Sequence, residues 1–357
     1  MMNLVRWNRS PVRLGLAVFA VLALLVLSVG RGGAQQRGAA GAQQGQGAGR
    51  GGQQGPASPR GGFDEVLVGA IDVHAHQAPD NRARSIDFLD AARYAKLKGM
   101  RGLVLKSHLD PTAGYAYIAR KEVPGLEVFG LLDLNLPVGG INPHAVEHFV
   151  QVTGPGAPPE GYGRVVMMSS EDSEYQVNYS KENRESVHVS RNGDLLPAVK
   201  EVIGLIKKYN LTLSTGHNSP DESVMIIREA IKQGIPPTRI GVTHANLDPP
   251  GLDIPHMQEA AKLGAFVELC GQSQRPSPTL DARNDRLADI IRKVGPANII
   301  METDLGQANN EYHADGLAGF VRAMRARGIT AQETDMMTKR NPARYLGIPE
   351  LAAAGSQ

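Results

Sequence analysis

"GAIDVHAH", residues 69–76, is an apolar run that ends in two histidines two positions apart. Side chains of an extended strand alternate with a period of two, so His74 and His76 point to the same side. Seven further apolar runs follow, several of them with a polar end. They are "RGLVLKSH" (101–108), "EVFGLLDLN" (127–135), "GRVVMMSS" (163–170), "LTLSTGH" (211–217), "RIGVTHAN" (239–246), "GAFVELC" (264–270) and "NIIMETD" (298–304). Near-continuous apolar character suits parallel strands buried on both faces. Helical patterns lie between the runs. In "AVKEVIGLIKKYN", Val199, Val202, Ile203 and Ile206 form one stripe. "SPDESVMIIREAIKQG" opens with a capping box, Ser219 with Glu222, has Pro220 at its first position and can stop at Gly234. Thr330 with Glu333 opens another. Repeated βα units over roughly 290 residues predict an α/β fold, a (β/α)8 TIM barrel. An open doubly wound sheet is the competing architecture. It usually carries a glycine-rich phosphate loop after its first strand, whereas "HAHQAP" follows here.

The rest of the chain divides around this core. Arg6, Arg9 and Arg13 precede the apolar segment 14–30, and small residues follow to Ala34, so residues 1–34 read as a secretory signal peptide. The apolar run is at the lower edge of what spans a bilayer, and an uncleaved N-terminal anchor is the alternative. Residues 35–62, rich in Gly, Gln and Ala, read as a disordered linker. The barrel is expected over 63–350, with a short tail at 351–357. One connection, residues 171–194, is long. Its Asn192-Gly193 pair after "SVHV" predicts an inserted loop or hairpin after the fourth strand, over the barrel mouth.

Charge and cysteine content exclude several functions. All seven basic residues before residue 63 lie in the signal and linker, which hold no acid. The remainder has 31 basic against 36 acidic residues, a net of −5. A nucleic-acid binder needs a basic face, so no nucleic-acid partner is expected. A membrane partner is expected only if the N-terminal segment stays uncleaved. Cys270 is the single cysteine, which rules out an intramolecular disulfide and a cysteine-rich metal site. Any metal must use His, Asp, Glu or a modified Lys.

In a parallel barrel the C-terminal ends of all strands lie on one face, and that face carries the active site. His74 and His76, Lys106 and His108, His217, His244 and Asp304 all stand at such ends. Neutral imidazoles with one carboxylate are the donor set of a divalent metal, and a position left for water makes the composition catalytic. Such an ion lowers the pKa of its water towards about 7 and polarises a carbonyl or phosphoryl oxygen. Asp304 could bind metal and also accept the water's proton. Lys106 follows an apolar strand and serves as an anion-binding group, a carbamate or half of a barrel-end salt bridge. Glu268 is a candidate for orienting a ligand histidine. His108 is a supporting residue or an ordinary loop histidine. His188 and His313 could reach the mouth, and Cys270 reads as a buried, inert thiol.

"HAH" after the first strand, His after the fifth and sixth, Asp after the eighth and the closing "NPARYLGI" (341–348) resemble the amidohydrolase superfamily of metal-dependent barrels. "VLKSH", "TGHNSP" and "METDLGQ" look closest to a branch with no assigned substrate. The resemblance implies that His74, His76, His217, His244 and Asp304 form the metal site, most often for zinc. It departs from two-metal members at the fourth strand, which ends "MMSS" without a bridging Lys or Glu; Glu171 lies just beyond, Asp133 on the third strand and Lys106 on the second. One ion or two therefore both remain open. The expected function is hydrolysis of an amide, ester, lactone or phosphoester of a small molecule by metal-activated water. Asp304 would orient the water, with Lys106 and His244 stabilising the oxyanion. A one-metal decarboxylase or hydratase on the same barrel is an alternative, as is a non-catalytic exported metal- or ligand-binding barrel. Export to the periplasm or medium follows from the signal, and a homo-oligomer is open.

Overall fold

The structure, a computed structural model, describes residues 61–351. The signal or anchor at 1–34, nearly all of the linker and the tail beyond Leu351 lie outside the described residues. Among the described residues no helix is long and apolar enough to cross a membrane.

The described residues form ten strands: β1 (Ile71–His76), β2 (Gly102–Lys106), β3 (Glu127–Asp133), β4 (Gly163–Met167), β5 (Ser190–Arg191), β6 (Asp194–Leu195), β7 (Thr212–Ser214), β8 (Ile240–Val242), β9 (Phe266–Cys270) and β10 (Ile299–Glu302). Eight of them form one parallel sheet in the order β1-β2-β3-β4-β7-β8-β9-β10, with helices in the connections. The sheet closes on itself. Beyond β10, the Asp304 N–H donates to the His74 carbonyl at 3.1 Å, and the His76 N–H donates to the Leu305 carbonyl at 2.9 Å. This is the (β/α)8 barrel, and closure excludes the open doubly wound sheet.

Two apolar cores result from strands buried on both faces. The inner one joins Ile71, Val73, Phe129, Leu131 and Ile300 to Tyr345 and Leu346 of the last helix, Asn341–Leu346. That helix is pinned to strand starts: the Tyr345 carbonyl accepts from Thr212 Oγ1 at 2.6 Å and from Arg239 Nε at 2.8 Å. The outer core packs the opposite strand faces on the helices. It includes the predicted stripe, since Val199, Val202, Ile203 and Ile206 are fully buried.

Local signals match the elements they predict. Both capping boxes form, at Ser219/Glu222 and at Thr330/Glu333. Gly234, at φ +86°, follows the end of the first of these helices. The long connection holds a short helix, Glu174–Tyr179, and then the antiparallel β5–β6 ribbon, whose turn residues Asn192 and Gly193 have φ of +53° and +79°. The fifth and sixth runs of the sequence give shorter strands than their apolar length suggests. Their ends leave the ladder early because the chain bends over the barrel mouth at Gly216 (φ +71°) and His244 (φ +20°).

Candidate metal centre

β1 does not alternate strictly. Its pairing with β2 slips between Asp72 and Ala75, so that Val73 and His74 together oppose one residue, Val104. This one-residue bulge switches the parity of the strand. Ile71 and Val73 fill the barrel interior, Ala75 faces the helices, and His74 and His76 reach the mouth. The Asp72 carboxylate stabilises the bulge. It accepts the His74 N–H at 3.2 Å, the Thr303 N–H at 3.3 Å and the Thr303 hydroxyl at 2.5 Å, stitching β1 to the chain after β10.

Four imidazoles and one carboxylate converge there. His76 Nε2 lies 3.1 Å and His74 Nε2 3.7 Å from Asp304 Oδ1. His217 Nε2 lies 2.9 Å from His244 Nε2. The two groups adjoin, with the His74 and His244 rings 5.3 Å apart at their centroids. His244 and Asp304 are both held at positive φ, +20° and +51°. For residues other than glycine this is backbone strain, of the kind that collects at functional sites.

The outward nitrogens differ in their surroundings. His217 Nδ1 donates to Gln176 Oε1 at 2.8 Å, on the helix of the inserted connection. His76 Nδ1 has Asp80 Oδ2 at 3.7 Å, and His74 Nδ1 has Glu302 Oε2 at 3.8 Å. His244 Nδ1 is buried without a partner. Burial pushes the imidazoles of His74, His76 and His217 well below their ordinary range and that of His244 down to about 3, so all four are neutral donors. Burial also pushes the Asp304 carboxyl up, to about 7.

This donor set fits a divalent cation. Two ligands about 2.0–2.1 Å from one ion stand about 2.9–3.4 Å apart at tetrahedral or square angles. The His217–His244 and His76–Asp304 separations fall in that range. With its Nδ1–H given to Gln176, His217 presents a lone pair to His244, and an electron-poor centre between the two rings would satisfy both.

The other sequence candidates take different places. Lys106 and Asp133 are both buried and form an ion pair. Lys106 also reaches Ser170 Oγ at 3.3 Å, and Asn135 Nδ2 donates to Asp133 at 2.9 Å. His108, beside His76, shares Asp80 with it and lies 3.6 Å from Glu171. Glu171 does not join the convergent donors. It sits at the rim, a third exposed, paired with Arg82 and with Asn81 Nδ2 at 3.0 Å, because the chain after β4 turns outward there. Glu268 points into the barrel beneath the site, fully buried. His313 donates from Nε2 to the His76 carbonyl at 2.7 Å, whereas His188 is exposed and pairs with Glu174. Cys270 is buried, its thiol donating to the Thr303 carbonyl at 3.0 Å.

Residues that the sequence reading passed over complete the surroundings. His76, Asp80 and His108 could between them hold a second ion, but the Arg84 guanidinium already lies among them. It pairs with Asp80, and its Nη2 is 3.0 Å from His76 Nδ1 and 3.2 Å from His108 Nδ1. Burial pulls the Asp80 carboxyl up, but hydrogen bonds from His108 and His76 and the Arg84 charge outweigh it and hold the group well below the carboxylate range. Glu302 was legible in principle, two positions before Asp304 and therefore on the same face of the strand. Gln176 carried no signal, because only the folded insert brings it to His217.

A family model covers residues 69–268, more than half of the chain. The chain belongs to the family of unknown function DUF6282. No curated protein matches it. Among solved structures it resembles the organophosphorus hydrolase from Deinococcus radiodurans at 16% identity, over 81% of this chain and 98% of that one, with a TM-score of 0.53. An amidohydrolase from Pseudomonas aeruginosa matches at 13% identity, over 79% and 97%, with a TM-score of 0.53. A structure from the molecular engineering of organophosphate hydrolysis activity on a weak promiscuous lactonase template matches at 16%, over 79% and 97%, again at 0.53. At such identities the likeness is one of fold.

Proposed function

We propose that this chain is a metal-dependent hydrolase acting on an ester, lactone, amide or phosphoester of a small molecule. The observation that carries the reading is the convergence of four neutral imidazole Nε2 atoms and the Asp304 carboxylate at the C-terminal end of a (β/α)8 barrel. His74, His76 and Asp304 would hold one divalent ion, most simply zinc, with His217 and His244 completing its shell or holding a second. Such an ion supplies Lewis acidity and a nucleophilic water at neutral pH. Asp304, beside both histidines of β1, is the carboxylate placed to take a proton from water and return it to a leaving group. Lys106 is held rigidly by Asp133, which sets its ammonium at a fixed place beneath the mouth, where it would favour negative charge developing on a substrate oxygen. The fold shared with an organophosphorus hydrolase, a lactonase template and an amidohydrolase supports the same reaction class.

Metal analysis of the purified protein, with a panel of esters, lactones and phosphotriesters assayed before and after chelation, tests the proposal. One or two equivalents of metal are expected in the wild type, with loss in a His74→Ala/His76→Ala variant and chelator-sensitive turnover. Metal content unchanged by the double substitution would refute it.

A second reading keeps a single ion and replaces water attack by decarboxylation or hydration. It is supported by the end of β4, where Ser169 and Ser170 bond to Asn135 and Asp133 and offer no carboxylate between the two histidine groups. Release of carbon dioxide without incorporation of labelled water would select it. Residues 1–34 support an exported enzyme, periplasmic or secreted, and the N-terminal sequence of the mature protein tests this.

A further inference from the structure

Behind His74 lies an acidic pocket that the reading above leaves unused. Glu302 on β10 and Glu268 on β9 project into the barrel, 0% and 1% exposed. Both carboxylate oxygens of Glu302, Oε1 of Glu268 and Nδ1 of His74 have no hydrogen-bond partner. One side-chain donor from each of the three residues lies within 4.8 Å of the others. The neighbouring strand leaves room for Glu268. A Cβ on Gly241 of β8 would stand 2.2 Å from Glu268 Oε1 and 2.9 Å from Tyr345 Cε2. Glycine inside a strand weakens it and marks close approach, here of a carboxyl group to the backbone.

Two acids in a barrel interior are a stability burden. An unpartnered carboxylate there is far less favourable than a leucine of similar size. A use at the metal centre accounts for keeping it. A histidine that binds metal through Nε2 carries its proton on Nδ1 and needs an acceptor behind it. His217 has Gln176. For His74 the carboxylate behind Nδ1 is Glu302, at 3.8 Å.

We propose that Glu302 is a positioning residue: it accepts the Nδ1–H of His74, fixes the ring's tautomer and turns Nε2 towards the cation beside Asp304. Glu268, hydrogen-bonded to the Tyr345 hydroxyl, lies beside both Glu302 and His74. The proposal rests on the metal-centre reading.

The test uses the full-length protein, zinc affinity by chelator competition, zinc stoichiometry, and thermal unfolding of the metal-free form. Glu302→Leu should weaken zinc binding about 10–100-fold and raise the Tm of the metal-free protein by about 2 °C or more. Opposite signs are the signature, because a merely structural residue would lower both. Glu302→Gln, near-isosteric and still able to accept through its amide oxygen, should lose less affinity than Glu302→Leu, and it decides the matter if the leucine variant does not fold. Zinc affinity unchanged in both variants overturns the proposal. So does an extra equivalent of zinc in the wild type that Glu268→Gln removes, which would make the pocket itself an ion site. A wild type that takes up no metal refutes the functional reading instead, a result read before any variant is made.

Discussion

Lys106 is the residue whose role the structure narrows most. Read along the strand, it was an anion binder, a carbamate or half of a salt bridge, and it is found with Asp133, both side chains 1% exposed. Removing one partner of such a pair leaves the other charge buried and alone. Lys106→Met should therefore cost about 3–5 kcal/mol, and Lys106→Met/Asp133→Leu should regain most of the loss. Urea denaturation of the two variants checks this. A single substitution that leaves stability unchanged would show that Asp133 finds other partners, and Lys106 would then be free for modification. Glu302 and Asp304 show the limit at this scale. Both lie at the end of "NIIMETD", and only the depth of each within the barrel separates the group behind His74 from the one beside it.

At the scale of elements, the seam between β1 and the chain after β10 decides the site. Strict alternation over "IDVHAH" would put Ile71, Val73 and Ala75 on one face and both histidines on the other. The bulge lets the same strand fill the interior low down and present His74 and His76 higher up. Asp72 makes three hydrogen bonds to hold that geometry, and all of its partners are buried. Asp72→Ala strands two N–H groups and a hydroxyl, each worth about 1–3 kcal/mol when left unsatisfied. A loss of about 3 kcal/mol or more is expected, with a fall in bound metal, because His74 and Asp304 both hang on this seam. Unfolding measurements alongside metal analysis would show it. Full metal occupancy in Asp72→Ala would mean that the bulge persists without its carboxylate.

Across the whole molecule, buried titratable groups set the pH dependence of the metal-free protein. Burial depresses His74, His76 and His217 strongly, His244 to about 3 and His313 to about 4. The unfolded chain takes up protons on these groups below about pH 6.5. Their share of stability is therefore complete above that pH and is lost as pH falls towards 4. Burial raises Asp72 to about 6, Glu268 and Asp304 to about 7, and Glu302 further. The unfolded chain has released these protons by about pH 4–5, so their share is present in acid and is lost as pH rises through 6 to 7. The imidazoles outnumber the carboxyls, so stability rises up to about pH 6. Above about 6.5 only the carboxyl loss continues. The Tm in the presence of chelator should peak between about pH 6 and 7. A Tm that climbs steadily to pH 8.5 would contradict this balance.

The sequence alone determined the (β/α)8 barrel, since eight apolar runs with amphipathic spacers have few other ways to bury both faces of every strand. It also determined that His74, His76, His217, His244 and Asp304 share one end of that barrel, because strand termini are collinear with the fold. The tertiary structure alone decided which nitrogen each ring turns inward, what stands behind it, that Lys106 is engaged by Asp133 and that Arg84 lies between His76 and His108. Those outcomes depend on a one-residue slip in β1 and on contacts between residues far apart in sequence, such as Gln176 with His217 and Glu302 with His74. No local pattern encodes such separations.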